Sequence, residues 1–143
     1  MTEVTKVNSG GHFEALYSYS RLVMVDNWIF TANSAGVSPE TGKFSGDPVE
    51  QAKQALRNLE HALGQVGSNF SDVVRRTVRI PNREDIFPIM ECVGAAFKGI
   101  DPASAVACTP LGSDDYKVEI ELIAYKGAGS LKQTRIRSKL FGE

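Results

Sequence analysis

Lys117–Tyr125 constrains the fold more tightly than any other segment. Val118, Ile120, Leu122 and Ala124 alternate with Lys117, Glu119, Glu121, Ile123 and Tyr125, so one side of a strand is apolar and the other carries charge. A strand of this kind belongs to a sheet with a core on one side only. The remaining chain must supply the partner strands and a layer that covers the apolar face.

Both are legible. Arg21–Val25 and Trp28–Ala32 are apolar-rich runs separated by Asp26-Asn27, two residues that tolerate positive φ, and they read as a hairpin. A loop over 33–46 follows, punctuated by Pro39 and Thr41-Gly42. Asp47-Pro48-Val49-Glu50 then has the form of a helix start, with Asp47 as N-cap, Pro48 in the first turn and Glu50 completing a capping box. Val49, Ala52, Ala55, Leu56, Leu59, Ala62, Leu63 and Val66 form one apolar helical face, which Gly67 ends.

The second half repeats the alternation. Val73–Ile80 reads as a strand with Val74, Val78 and Ile80 on one side and Arg75, Thr77 and Arg79 on the other. Asp85 is the expected cap of a second helix, whose stripe is Ile86, Ile89, Met90, Val93 and Phe97. Ala105–Thr109 is a short strand stopped by Pro110. Two helices can cover only one face, which predicts an α+β two-layer domain with a mixed sheet of about six strands. The other face is left to solvent or to another subunit. Residues 1–143 read as a single domain, with 127–143 as a C-terminal extension carrying Lys132, Arg135, Arg137 and Lys139. That extension is either a flexible basic tail or an extra strand packed on a neighbour through Leu131 and Ile136.

Composition narrows the function. A net charge of −1 over 143 residues offers no general attraction to nucleic acid or anionic lipid, so neither is expected as a partner. The start of the chain is polar, and no apolar run approaches the roughly 18 residues that span a bilayer. Cys92 and Cys108 read as reduced thiols, which points to a cytoplasmic protein. His12 and His61 lie far apart with no ligand spacing around them, and no glycine-rich phosphate loop is present. No metal and no cofactor are expected.

Several segments in order carry a resemblance. They are Tyr19-Ser20-Arg21, Trp28-Ile29-Phe30-Thr31, Thr41-Gly42 with Gln51, the helix 55–66, Asp72-Val73-Val74, Asp101-Pro102-Ala103 and Val118-Glu119-Ile120-Glu121. Together they resemble the Rid family (RidA/YjgF, also called L-PSP endoribonuclease) over roughly residues 13 to 125. The resemblance implies a chorismate-mutase-like fold and a homotrimer with small-molecule clefts between adjacent subunits. It also implies cofactor-free hydrolysis of imines or enamines derived from amino acids.

On this resemblance Glu119 positions the attacking water and Tyr19 lines the cleft. The arginine that grips a substrate carboxylate in the deaminases falls at Ser104. Ala32-Asn33 stand in place of a serine-glycine pair, and Met90 in place of an asparagine. Arg21, two residues from Tyr19, is the candidate substitute anchor, with an exposed strand arginine as the alternative. Cys108 lies beside the presumed cleft, as a candidate nucleophile or a small apolar residue. Glu119 and Glu121 share a strand face, where paired carboxylates divide acid and base roles or form cross-strand ion pairs with Arg75 and Arg79. Three functions remain open: an imine or enamine hydrolase, a non-catalytic metabolite-binding or sensor trimer, and an endoribonuclease.

Overall fold

The computed structural model describes residues 2–142. Seven strands form one mixed sheet: β1 (Val4–Val7), β2 (Leu22–Val25), β3 (Trp28–Thr31), β4 (Ser34–Ala35), β5 (Val73–Ile80), β6 (Ala103–Cys108) and β7 (Glu119–Tyr125). Three helices accompany them: α1 (His12–Tyr17), α2 (Pro48–Gly64) and α3 (Ile86–Ala96). The strand order is β1-β2-β3-β7-β5-β6, with β4 pairing β7 beyond the end of β3. Only β5 and β6 run parallel, joined through α3; the other pairs are antiparallel.

The α+β two-layer expectation holds, with one more strand than the pattern gave. α2 and α3 pack together over one sheet face, and Leu22, Ile29, Val78, Ile80, Ile120, Leu122 and Ala124 of the sheet are buried beneath them with Ala52, Ala55, Leu59, Leu63 and Val93. Asp47 caps α2 as expected, its Oδ1 accepting from the Val49 amide at 2.8 Å. The reciprocal half of the capping box is absent. The Asp47 amide donates to Ser45 Oγ at 3.1 Å, and Glu50 pairs with Lys53 at 3.2 Å instead.

Two local expectations are corrected. Val74 is 39% exposed rather than inward, because a bulge between Val73 and Arg75 shifts the β5 register against β7. The inward set is Val73, Arg76, Val78 and Ile80, the last three sharing a face with Leu122 and Ile120. Asp85 makes no capping hydrogen bond, since Arg83–Asp85 is already a 3₁₀ turn leading into α3. The N-terminal segment is also structured: β1 pairs β2, and α1 sits before it.

Two buried polar residues shape the ground on which a site can stand. Gln51 is fully buried. Its Nε2 donates to Ser45 O at 2.7 Å and Asp115 O at 2.9 Å, while its Oε1 accepts from the Lys117 amide at 2.9 Å. It fastens the approach to β7 onto the start of α2. Thr31 Oγ1 accepts from the Leu122 amide at 2.8 Å, filling the gap where β7 passes from β3 to β4. Ala32 and Asn33 are pushed out of the ladder there.

The tail returns to the domain. The Gly129 amide donates to the buried Asp72 at 2.9 Å, and Arg135 pairs with Asp101 while donating to Gly99 O at 2.9 Å. Residues 131–142 form no strand. No helix among the described residues is long and apolar enough to cross a membrane.

Candidate functional site

Among the described residues, no layer covers the sheet face away from α2 and α3. Its residues follow from the register: Thr77 opposes Glu121, Arg79 opposes Glu119, Phe30 opposes Ile123 and Trp28 opposes Tyr125. The hairpin end is apolar, and the end near Glu119 is polar.

The polar end is built around two arginines. Arg21, at the entry to β2, donates from Nη1 to Asn33 O at 2.7 Å and to Ser34 Oγ at 3.4 Å. Its Nη2 reaches Glu14 Oε2 at 3.5 Å and Tyr19 Oη at 3.3 Å, and its guanidinium lies 5.5 Å from the Tyr19 ring centre. Glu14, on α1, is buried and also accepts from the Ser9 amide at 2.9 Å. Burial pushes its carboxyl up, but the Ser9 hydrogen bonds and Arg21 outweigh that and hold it below its ordinary value. Arg79 donates from Nη1 to Asn33 Oδ1 at 2.8 Å and pairs through Nη2 with Glu121 at 3.3 Å.

Glu119 stands between these cations and differs from its neighbours. Among the described residues neither of its oxygens accepts a hydrogen bond, although it is half-buried. Burial raises its carboxyl above the ordinary value, against the pull of Arg79 and Arg21, and the Glu121 charge adds to the rise. An unpartnered carboxylate with a raised pKa, open to a face where water can enter, has the properties of a general base. Tyr116 is close enough that the Glu119 charge, after burial, raises its phenol.

The structure therefore brings Tyr19, Arg21, Ala32, Asn33 and Glu119 together, with the Ala32 amide donating to Arg21 O at 2.9 Å. Arg79 and Tyr116 join them, as does Glu14 beneath. None of these three is separable by sequence from an ordinary surface residue until the register is known. Glu121 is taken by the ion pair with Arg79; Arg75 opposes Ile123 instead.

The other candidates lie elsewhere in the chain. Ser104 is level with Arg76, and Cys108 with Ile80, on the helix-covered side of the edge strand β6. Cys108 is exposed and its Sγ lies 3.7 Å from Pro81 O. Met90 packs from α3 against the core on that same side. Within one copy, the Glu119 group and the Ser104–Met90–Cys108 group are separated by the sheet itself.

Residues 10–126 match the profile of the family described as Endoribonuclease L-PSP. The chain belongs to the Rid (YjgF, L-PSP) family. The mouse protein named 2-iminobutanoate/2-iminopropanoate deaminase is 39% identical over 117 residues, covering 79% of this chain and 84% of the relative. Its human counterpart of the same name is 37% identical over 117 residues, covering 79% and 83%. Among solved structures, a YjgF/YER057c/UK114 family member from Mycobacterium tuberculosis superposes with a TM-score of 0.77 at 31% identity, covering 86% of this chain and 99% of the other. The Escherichia coli YjgF gene product gives 0.69 at 30% identity, covering 75% and 87%. Membership and fold are thus settled together.

Proposed function

We propose that this Rid-family chain is a cofactor-free hydrolase of small imines or enamines, with Glu119 holding and activating the attacking water. The observation that carries the reading is the state of Glu119: half-buried, without a hydrogen-bond partner among the described residues, and raised in pKa mainly by burial. A water molecule held by such a carboxylate loses its proton to it as the oxygen attacks an iminium carbon. The carboxyl returns that proton to the carbinolamine nitrogen. As the C–N bond breaks and ammonia leaves, the regenerated carboxylate takes the hydroxyl proton, leaving the carbonyl product; the proton then passes to ammonia or solvent. Tyr19 and Tyr116 flank the reacting position, while Arg21 and Arg79 stabilise the ionised form of Glu119. The names of the mouse and human relatives support imine chemistry of this class.

The working unit in this proposal is a homotrimer whose clefts lie between copies. Two features support it. Trp28 and Phe30 are 46% and 45% exposed on the uncovered face, an apolar patch that association would bury. The candidate residues also fall on opposite sides of the sheet, so a second copy is needed to bring both groups to one ligand. A binding-only trimer is the second reading, favoured by Ser104 standing where the resemblance places the deaminase arginine.

The test is competition with a trap. An amino-acid oxidase generates 2-iminobutanoate, semicarbazide captures it, and a hydrolase lowers the captured fraction. The parent protein is expected to lower it and Glu119→Gln to leave it unchanged. A Glu119→Gln protein that competes like the parent removes this mechanism. Failure of the parent to compete, with metabolite binding intact, selects the binding-only reading.

A further inference from the structure

Arg76 lies on β5 beside Ser104, one strand in from the β6 edge. Its antiparallel partner is the buried Leu122, which puts its side chain on the helix-covered side of the sheet. Two contacts fix the guanidinium. Its carbon is 5.3 Å from the centre of the Phe97 ring, and its Nε donates to Ser104 Oγ at 3.0 Å. Phe97 is itself buried, so the plane against which Arg76 lies does not move freely.

One of the five donors of this guanidinium is used among the described residues. Among the described residues, neither Nη makes a hydrogen bond or an ion pair. Burial draws the pKa of Arg76 down and Asp101 supports it, yet a guanidinium remains charged at neutral pH. Asp101 forms no hydrogen bond or ion pair with Arg76 among the described residues; its Oδ2 is paired with Arg135 from the tail. Arg76 and Arg135 against Asp101 leave one uncompensated positive charge at this edge. With Nε occupied, the two Nη groups present parallel N–H bonds, the pattern that receives a carboxylate through both oxygens.

We propose that Arg76 is the carboxylate anchor of this chain, its two Nη groups binding a small monocarboxylate metabolite while Phe97 and Ser104 hold the guanidinium in place. The inference rests on the intersubunit cleft of the proposed function and names its substrate class. Ser104 is then a positioning residue: its hydroxyl orients the guanidinium that reaches in from the neighbouring strand. The cationic grip is kept and moved across one strand.

The probes are 2-oxobutanoate, a stable oxo counterpart of 2-iminobutanoate, and its neutral amide, titrated into the full-length protein by calorimetry. The parent is expected to prefer the carboxylate by about tenfold or more, as a charge-assisted bidentate contact requires. Arg76→Gln should lose about tenfold in affinity for the carboxylate and nothing for the amide. Arg76→Lys, which keeps the charge without the fork, should fall between them. A parent that does not distinguish the two probes overturns the proposal, as does an Arg76→Gln protein that binds the carboxylate like the parent. If Arg76→Gln does not fold, parent-like carboxylate affinity in Arg76→Lys overturns the assignment of the fork. The trap assay on the same proteins separates the two readings. Carboxylate preference without turnover retires the hydrolase and leaves the anchor. Turnover unaffected by Arg76→Gln retires the anchor and leaves the hydrolase.

Discussion

Arg21 and Arg79, on the open face, give their donors to Asn33, Ser34, Glu14, Tyr19 and Glu121. Arg76, at the β6 edge, gives one to Ser104 and, among the described residues, keeps both Nη groups free. The residue type is the same and the local tasks differ. On the open face the guanidiniums hold a constellation together and set the charge around Glu119. At the edge, the guanidinium is itself held and left available to a ligand. An arginine near a presumed cleft is therefore not an anchor by position alone; the occupancy of its donors decides.

The largest expected effect breaks this comparison at the chemistry. Glu119→Gln should lower kcat by about 10²–10⁴-fold with KM little changed, as expected for loss of a general base. Arg76→Gln should act mainly on KM, and steady-state kinetics on the two variants would show the split. If Arg76→Gln instead loses kcat at constant KM, the edge takes part in the transition state rather than in ground-state binding.

Arg21→Gln should affect stability, not recognition. It removes a partner from the buried Glu14, and urea unfolding should show a loss of about 1–3 kcal/mol. A variant with parent stability and a raised KM would make Arg21 the anchor after all. Gln51→Leu tests the same face from below. It strips partners from Ser45 O, Asp115 O and the Lys117 amide, and a comparable loss of stability is expected in the same measurement.

pH separates the buried acids by sign. The folded-state values of Glu14 and Asp72 are lowered, so their stabilisation is full above the unfolded-state values and is lost as pH falls through the folded ones. Glu119 works in the opposite direction. Its folded value is raised, so its ionisation costs stability at neutral pH and protonation relieves that cost. Thermal unfolding should find Glu119→Gln slightly more stable than the parent at neutral pH, with the difference vanishing in acid. A Glu119→Gln protein less stable than the parent at neutral pH would contradict the strained state assigned to this carboxylate. The smallest effect is expected from Arg135→Ala, which frees Asp101 to compete for Arg76. Carboxylate affinity should fall by about two- to threefold, the scale of an exposed ion pair.

Much of the fold was legible because its signals are local. Asp47, Pro48 and the apolar stripe define α2, Asp26-Asn27 gives the β2–β3 turn, and the alternation in β7 fixes which side is buried. α1 escaped because its pattern is inverted: Glu14 is the buried residue while Phe13, Leu16 and Tyr17 are 47%, 55% and 68% exposed. β1 is a short edge strand with no fully buried residue, and Val74 was misplaced by a bulge that no local pattern announces. Of the site, Tyr19, Asn33 and Glu119 were named by resemblance and Arg21 by its place two residues from Tyr19, and the fold brings them together. Arg79 was named only as an ion-pair partner of the strand glutamates, and its pairing with Glu121 follows from the register. Glu14, Tyr116 and Arg76 were not named: Glu14 lies on a helix with an inverted pattern, Tyr116 in the loop before β7, and Arg76 acquires its role from a residue on another strand. Arg76 and Ser104 are 28 residues apart and meet only through the parallel register.

The central claim is that the base and the anchor of one site belong to different copies of the chain. The direct test is to mix Glu119→Gln and Arg76→Gln proteins, each impaired alone, exchange their subunits by mild denaturation and refolding, and assay hydrolysis of 2-iminobutanoate at a substrate concentration below the parent's KM. Random reassembly of a symmetric trimer should restore about a quarter of parental activity, because one cleft in four draws intact Glu119 and intact Arg76 from opposite sides. A mixture no more active than its components would place both residues in a single-chain site, or outside the site altogether, and would contradict the account.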